Sequence, residues 1–172
     1  MENRQSRAPS SGVPGFSLRF ARRADCGLIM AFIRELAAYE KLEDQVTGGV
    51  ALLEKTLFDQ GRAEVILGDF EGEPAAFALF FHNYSTFLTR PGLYLEDLFV
   101  RPAFRGRGLG REMLSCLARL AIERECGRLE WYCLDWNAPS IAFYKAQGAQ
   151  PLSDWTTYRV DGERLRALAG WR

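Results

Sequence analysis

Residues 93–114 read LYLEDLFVRPAFRGRGLGREML, and the fold turns on how this stretch divides. Its opening part is apolar and strand-like, broken by the adjacent acids Glu96 and Asp97. Behind it Gly106, Gly108 and Gly110 alternate with Arg105, Arg107 and Arg111. Leu109, Met113, Leu114, Leu117, Leu120 and Ala121 then fall on one stripe, so the spacing predicts a helix over 109–122. The glycines admit two readings. They relax a turn, or they clear the backbone so that the unpaired N–H groups and partial positive charge of the helix start face an anion. In the second reading the arginines add charge-assisted donors to a phosphate.

Outward from this stretch, FSLRF (16–20) alternates as a short strand should. Asp25 is placed to cap a helix carrying Ile29, Phe32, Ile33, Leu36 and Ala37 and ending near Tyr39. Thr47 opens a second helix through Leu57 and Phe58. Strands are expected at 62–69, 75–84, 92–100 and 128–135, a helix at 138–147 and a closing strand at 155–160. Residues 1–15, rich in Ser, Pro and Gly, read as a disordered leader, and 16–172 as a single domain. The order is mixed α/β, and the strand–helix–strand unit from 92 to 135 should cross over right-handed and parallel. Its helix then starts beside the carboxyl ends of the strands, where open α/β sheets bind ligands.

Composition narrows the function. The 172 residues carry 22 Lys plus Arg and 22 Asp plus Glu, a formal net charge of zero. That argues against non-specific attraction to nucleic acid or an anionic membrane. Cys26, Cys116, Cys126 and Cys133 show no C-x-x-C spacing, and His82 is the sole histidine. No metal site is expected, and reduced thiols fit a cytoplasmic protein. No window approaches the ~20 apolar residues of a membrane span. The glycine spacing fits neither the nucleoside-triphosphate loop nor the dinucleotide fingerprint.

With its acidic strand, V-x-P-x-x-R-G-x-G-x-G run and long helix, the stretch resembles the core of the GNAT acetyltransferases. The likeness extends to ADCGLIMAFIRELAAYEKLEDQV (24–46) and DWNAPSIAFYKAQGA (135–149), and is nearest to the spermidine/spermine-type and lysine-analogue enzymes. It implies a central, mostly antiparallel sheet with a parallel β-α-β core and flanking helices. It also implies acetyl-CoA as cosubstrate, with no metal. By resemblance the pyrophosphate lies on Arg105, Gly106, Arg107, Gly108, Leu109, Gly110 and Arg111. The backbone of Leu98, Phe99 and Val100 pairs with the pantetheine arm, and Asn137, Ser140 and Tyr144 complete the cofactor site. Tyr39, Glu40, Glu96, Asp97 and Asp154 are the acceptor-side candidates. A homodimer is implied in the same way.

The reaction implied is acetyl transfer to a primary amine, which is mostly protonated at neutral pH because its pKa is near 10.4. Attack needs proton removal, an oxyanion donor and an acid for the departing thiolate. Glu96 is the candidate base, acting through water, and Tyr144 the candidate acid. Asp97, one residue on, belongs on the opposite sheet face unless a bulge re-aims it. His82 reads as structural. Two features depart from the diamine enzymes: Ala146 and Gln147 stand where those carry basic residues, and the segment around Asp154 is shorter and poorer in acids. Selectivity should therefore differ from that of a strict spermidine enzyme. Transfer to a protein amine and a non-catalytic acyl-CoA-binding module are the competing readings.

Overall fold

The computed structural model describes residues 9–171. Residues 1–8 of the leader expected over 1–15 thus lie outside the described residues; its end enters the fold, since Gly15 O accepts from Glu71 N at 2.7 Å. Two compact units are formed, the first ending at Tyr132 and the second starting at Cys133.

In the first unit the strands β1 (Phe16–Phe20), β2 (Glu64–Phe70), β3 (Glu73–Ser85), β4 (Arg90–Val100) and β5 (Leu129–Trp131) form one sheet in chain order. The first three pairings are antiparallel and β4·β5 is parallel. This is the mostly antiparallel sheet with a parallel core that the sequence implied. The helices are α1 (Cys26–Glu40), α2 (Val50–Glu54), which continues as a π turn over Lys55–Asp59, and α3 (Leu109–Glu123).

The sheet carries helices on both faces because its strands alternate two apolar sets. Ile29 and Phe32 of α1 pack with Val65, Leu67, Phe77 and Phe99, and the Phe32 and Phe77 rings stack at 5.2 Å. The other set holds Ile66, Ala78, Phe80, Leu93 and Leu95, all at most 1 % exposed. Arg124, just past α3, lies over the Phe80 ring and so marks this as the α3 face. The helix predicted over 109–122 buries the full stripe from Leu109 to Ala121.

Some local expectations change. Asp25 occupies the N-cap position of α1 without capping it; its carboxylate instead takes the Arg22 N–H and both terminal nitrogens of Arg19. A bidentate guanidinium outcompetes a neutral amide for one carboxylate. The second helix starts at Val50 rather than Thr47. β5 stops at Trp131, well short of 135.

The second unit holds α4 (Ala138–Ala146) and α5 (Gly162–Leu168). The closing strand expected at 155–160 does not form, and Trp155, Tyr158 and Val160 are exposed. A strand needs a neighbour for its backbone groups, and this unit has no other strand to offer among its described residues. α5 was not anticipated.

Candidate active site

The site is built by an irregularity in β4. Asp97 pairs with Leu79 and Leu95 with Phe80, so two steps on β4 match one on β3 and Glu96 is the extra residue of a bulge. The bulge shifts the alternation. Leu93 and Leu95 face α3, whereas Asp97 and Phe99 share the α1 face with Leu79 and Phe77. Without it, Asp97 would follow Leu95 onto the α3 face.

Asp97 thereby comes to the side where α1 ends in Tyr39 and Glu40, with the Tyr39 ring 6.5 Å from Phe99. Burial, then the charges of Glu96 and Glu40, push the Asp97 carboxyl up to about 7. Burial also raises Glu40. Glu96 is exposed. Burial and neighbouring carboxylates thus act together on Asp97, which is the arrangement that holds a proton or receives an ammonium.

Beyond the bulge, β4 changes in a second way. β5 pairs with it only over Leu93–Leu95, so Glu96 to Val100 has β3 alone as strand neighbour among the described residues. The backbone edge of Leu98, Phe99 and Val100 is open to another extended chain. Arg105 reaches it there, through Nε to Val100 O at 2.9 Å.

The glycine turn follows directly. Gly106 and Gly108 have φ +76° and +81°, the left-handed region that side chains with a Cβ rarely enter, and nothing lies within 4 Å of where a Cβ would sit. The backbone N–H groups from Gly106 to Arg111 donate no hydrogen bond within the described chain. That is an accessible row of donors at the start of α3, as the cradle reading requires. Arg107 and Arg111 are exposed beside it. Arg105 instead spreads over the Tyr39 and Phe99 rings, with its guanidinium carbon 4.8 Å and 5.5 Å from their centroids. It therefore borders both the turn and the acceptor-side pair.

The remaining sequence candidates lie in the second unit. Asn137 caps α4 by accepting from Ser140 N at 3.3 Å and is buried, and the Tyr144 ring packs 5.3 Å from Phe143. Asp154 is exposed in the irregular stretch before α5. His82 pairs with Leu93 and so lies on the sheet face away from Asp97.

Residues 27–149 match the acetyltransferase (GNAT) family. The chain belongs to that family. Members of the GNAT family use acetyl-CoA as cosubstrate, and the open β4 edge and free N–H row fit an extended thioester arm ending in phosphates. Among the relatives, a bovine (Bos taurus) thialysine N-epsilon-acetyltransferase is 38 % identical over 167 residues, covering 89 % of this chain and 96 % of that one. A human (Homo sapiens) spermidine/spermine N(1)-acetyltransferase-like protein 1 is 32 % identical over 165 residues, covering 90 % of this chain and 24 % of that protein. An integron cassette protein from V. cholerae superposes with a TM-score of 0.74 at 26 % identity, covering 90 % of this chain and 98 % of that one. Among the described residues no group of histidine, cysteine and acidic side chains is arranged to hold a metal ion, and no helix is long and apolar enough to cross a membrane.

A polar group that the sequence reading missed lies further along the same sheet face. Gly92 pairs with Asn83, and Tyr94 with Phe81 and with Glu130 of β5. Asn83 donates to Glu130 Oε2 at 3.1 Å, and Arg128 Nε lies 2.8 Å from the same oxygen. Tyr94 packs edge-on to Tyr132 at 5.6 Å. The period-two pattern put Tyr94 opposite Leu93 and Leu95, but only the β4·β5 register brings Glu130 beside it.

Proposed function

We propose that this protein transfers the acetyl group of acetyl-CoA to the primary amine of a small cationic acceptor, a lysine-like amino acid or a polyamine. The observation that carries the reading is Asp97, turned by the bulge toward Glu40 and Tyr39 and placed where the open edge of β4 begins. The names of the bovine and human relatives support an amine of this kind.

The chain's own groups account for the steps a protonated amine requires. Glu40, Glu96 and Asp97 attract an ammonium group, which supplies the cation their shared position lacks. Asp97, poised near neutrality, takes the amine proton; a base is most effective when its pKa lies near the working pH. Glu96, exposed in the bulge, hands that proton to solvent. This shifts the principal base from Glu96 to its neighbour. Backbone N–H groups of the open β4 edge serve as donors to the developing oxyanion. Gly106 to Arg111 hold the phosphates, with Arg105, Arg107 and Arg111 adding charge and Asn137, Ser140 and Tyr144 completing the site by family resemblance. Acetyl-CoA, when bound, would supply the thioester, and the departing CoA thiolate would take its proton from Tyr144 in this reading. Tyr39 lies beside Glu40 on the acceptor side, and Asp154 is assigned to it by family resemblance alone. A cytoplasmic homodimer is part of the same proposal, supported by the family resemblance.

The test is thiol release from acetyl-CoA against lysine analogues, polyamines, aminoglycosides and peptides, with the product identified by mass. A mono-acetylated diamino acid or polyamine is the expected product. Tight acetyl-CoA binding without turnover of any amine would favour the non-catalytic module instead.

A further inference from the structure

We infer that Asn83, Arg128 and Glu130, beside Tyr94, form the subsite for the far end of the acceptor, and that it recognises the α-amino acid group of a diamino acid. This rests on the acetyl-transfer reading above and names the part of the site that selects among amines.

Position comes first. Asn83, Tyr94 and Glu130 share the sheet face that carries Asp97 beyond the bulge. With a rise of about 3.3 Å per residue, Tyr94 and Asp97 are separated by roughly 10 Å along β4, a gap that an alkyl chain bridges once the side chains' own reach is counted. An amine held at Asp97 therefore presents its other end to this group.

Unfinished hydrogen bonding comes second. Asn83 Oδ1 is buried without a hydrogen bond, while the buried Tyr94 Oη and Arg128 Nε have their near partners in Tyr132 and Glu130. Buried polar atoms are nearly always satisfied in native proteins, so an unmet acceptor beside two marginally paired donors marks an environment completed by something else. Burial raises the Tyr94 phenol, which stays protonated and can donate. β4 keeps a glycine here: a Cβ on Gly92 would collide with Asn83 Oδ1 and come within 3.1 Å of Arg128 Cγ. Access is available, because the Arg128 and Glu130 side chains are 36 % and 25 % exposed and the Tyr132 ring beside Tyr94 is 70 % exposed.

Charge decides the class. Arg128 and Glu130 neutralise each other at rest. An α-amino acid end carries the same two charges, so its ammonium meets Glu130 and its carboxylate meets Arg128 in a neutral exchange of partners. A bare second ammonium, as in a polyamine, gains Glu130 but confronts Arg128. The subsite thus favours the zwitterion.

Three acceptors of one chain length separate these contributions in the thiol-release assay: L-lysine, cadaverine, which lacks the carboxylate, and pentylamine, which also lacks the second amine. Wild-type kcat/KM should fall in that order. Arg128→Gln should lower kcat/KM for lysine about tenfold and leave cadaverine unchanged or improved. Glu130→Gln should lower it about tenfold for lysine and leave pentylamine unchanged. Both variants should keep the wild-type melting temperature and acetyl-CoA affinity, which shows that the fold is intact. Equal losses with all three amines, no loss in either variant, or a wild type that prefers cadaverine to lysine would overturn the subsite. A wild type that acetylates none of the three would sink the acetyl-transfer reading itself.

Discussion

The two halves of β4 do opposite things. Up to Leu95 the strand has neighbours on both sides, and Leu93 and Leu95 are at most 1 % exposed in the apolar layer under α3. Past the bulge at Glu96 it loses β5, presents its backbone edge and carries a raised carboxyl on the opposite face. The first half buries Leu93 and Leu95, whereas the second holds an uncompensated acid, which opposes folding. One inserted residue separates them.

Substitutions on either side of the bulge should therefore change stability with opposite signs. Leu95→Ala removes a fully buried side chain and should cost about 2–5 kcal/mol in chemical denaturation, with no change in the pH at which activity inflects. A loss below about 1 kcal/mol would show that the paired half is not a packed core. Asp97→Asn should stabilise the protein. The folded carboxyl, near 7, sits above the ordinary 3.8, so the native state keeps a proton that the unfolded chain releases between those values. Stability then falls as pH rises through that window, by at most ~1.4 kcal/mol per pH unit. The variant should gain about 1–3 kcal/mol at pH 8 and little at pH 4, measured by denaturant titration at both. A loss at pH 8 would mean that the charged form is stabilised in the fold.

A smaller effect is expected at the turn that follows. Gly108→Val forces a branched side chain into the left-handed region, at a cost of about 1–2 kcal/mol, and fills the approach to the free N–H row. Acetyl-CoA affinity by calorimetry should drop at least about tenfold in a protein that remains folded. Unchanged affinity would remove the cradle from the phosphate site.

What the sequence disclosed follows the same division. The α3 stripe, the apolar runs of β2 and β3 and the glycine run are periodic or compositional, so they read directly from residues 62–122. The bulge did not, because a two-residue acidic break in an apolar strand is compatible with unbroken alternation, and only the pairing of Leu79 and Phe80 reveals the shift. The same blindness to register hid Glu130 and Asn83, which lie far apart in sequence. Residues 155–160 misled in the other direction, since Trp, Thr, Tyr and Val are residue types that favour strands, yet pairing depends on a neighbour that composition cannot supply. α5 did carry a signal that went unused: Asp161 stands at its N-cap, and Leu165 and Leu168 sit three apart.

The most direct test of the account is the pH dependence of kcat/KM for an accepted amine in the wild type, Glu96→Gln and Asp97→Asn. The wild type should rise through an inflection near pH 7 that Glu96→Gln keeps at reduced amplitude and moves to lower pH, because the Glu96 charge helps to raise Asp97. Asp97→Asn should lose that inflection, together with about 10²–10³ in rate. An inflection that survives in Asp97→Asn and vanishes in Glu96→Gln would contradict the account and return the base to the bulged residue.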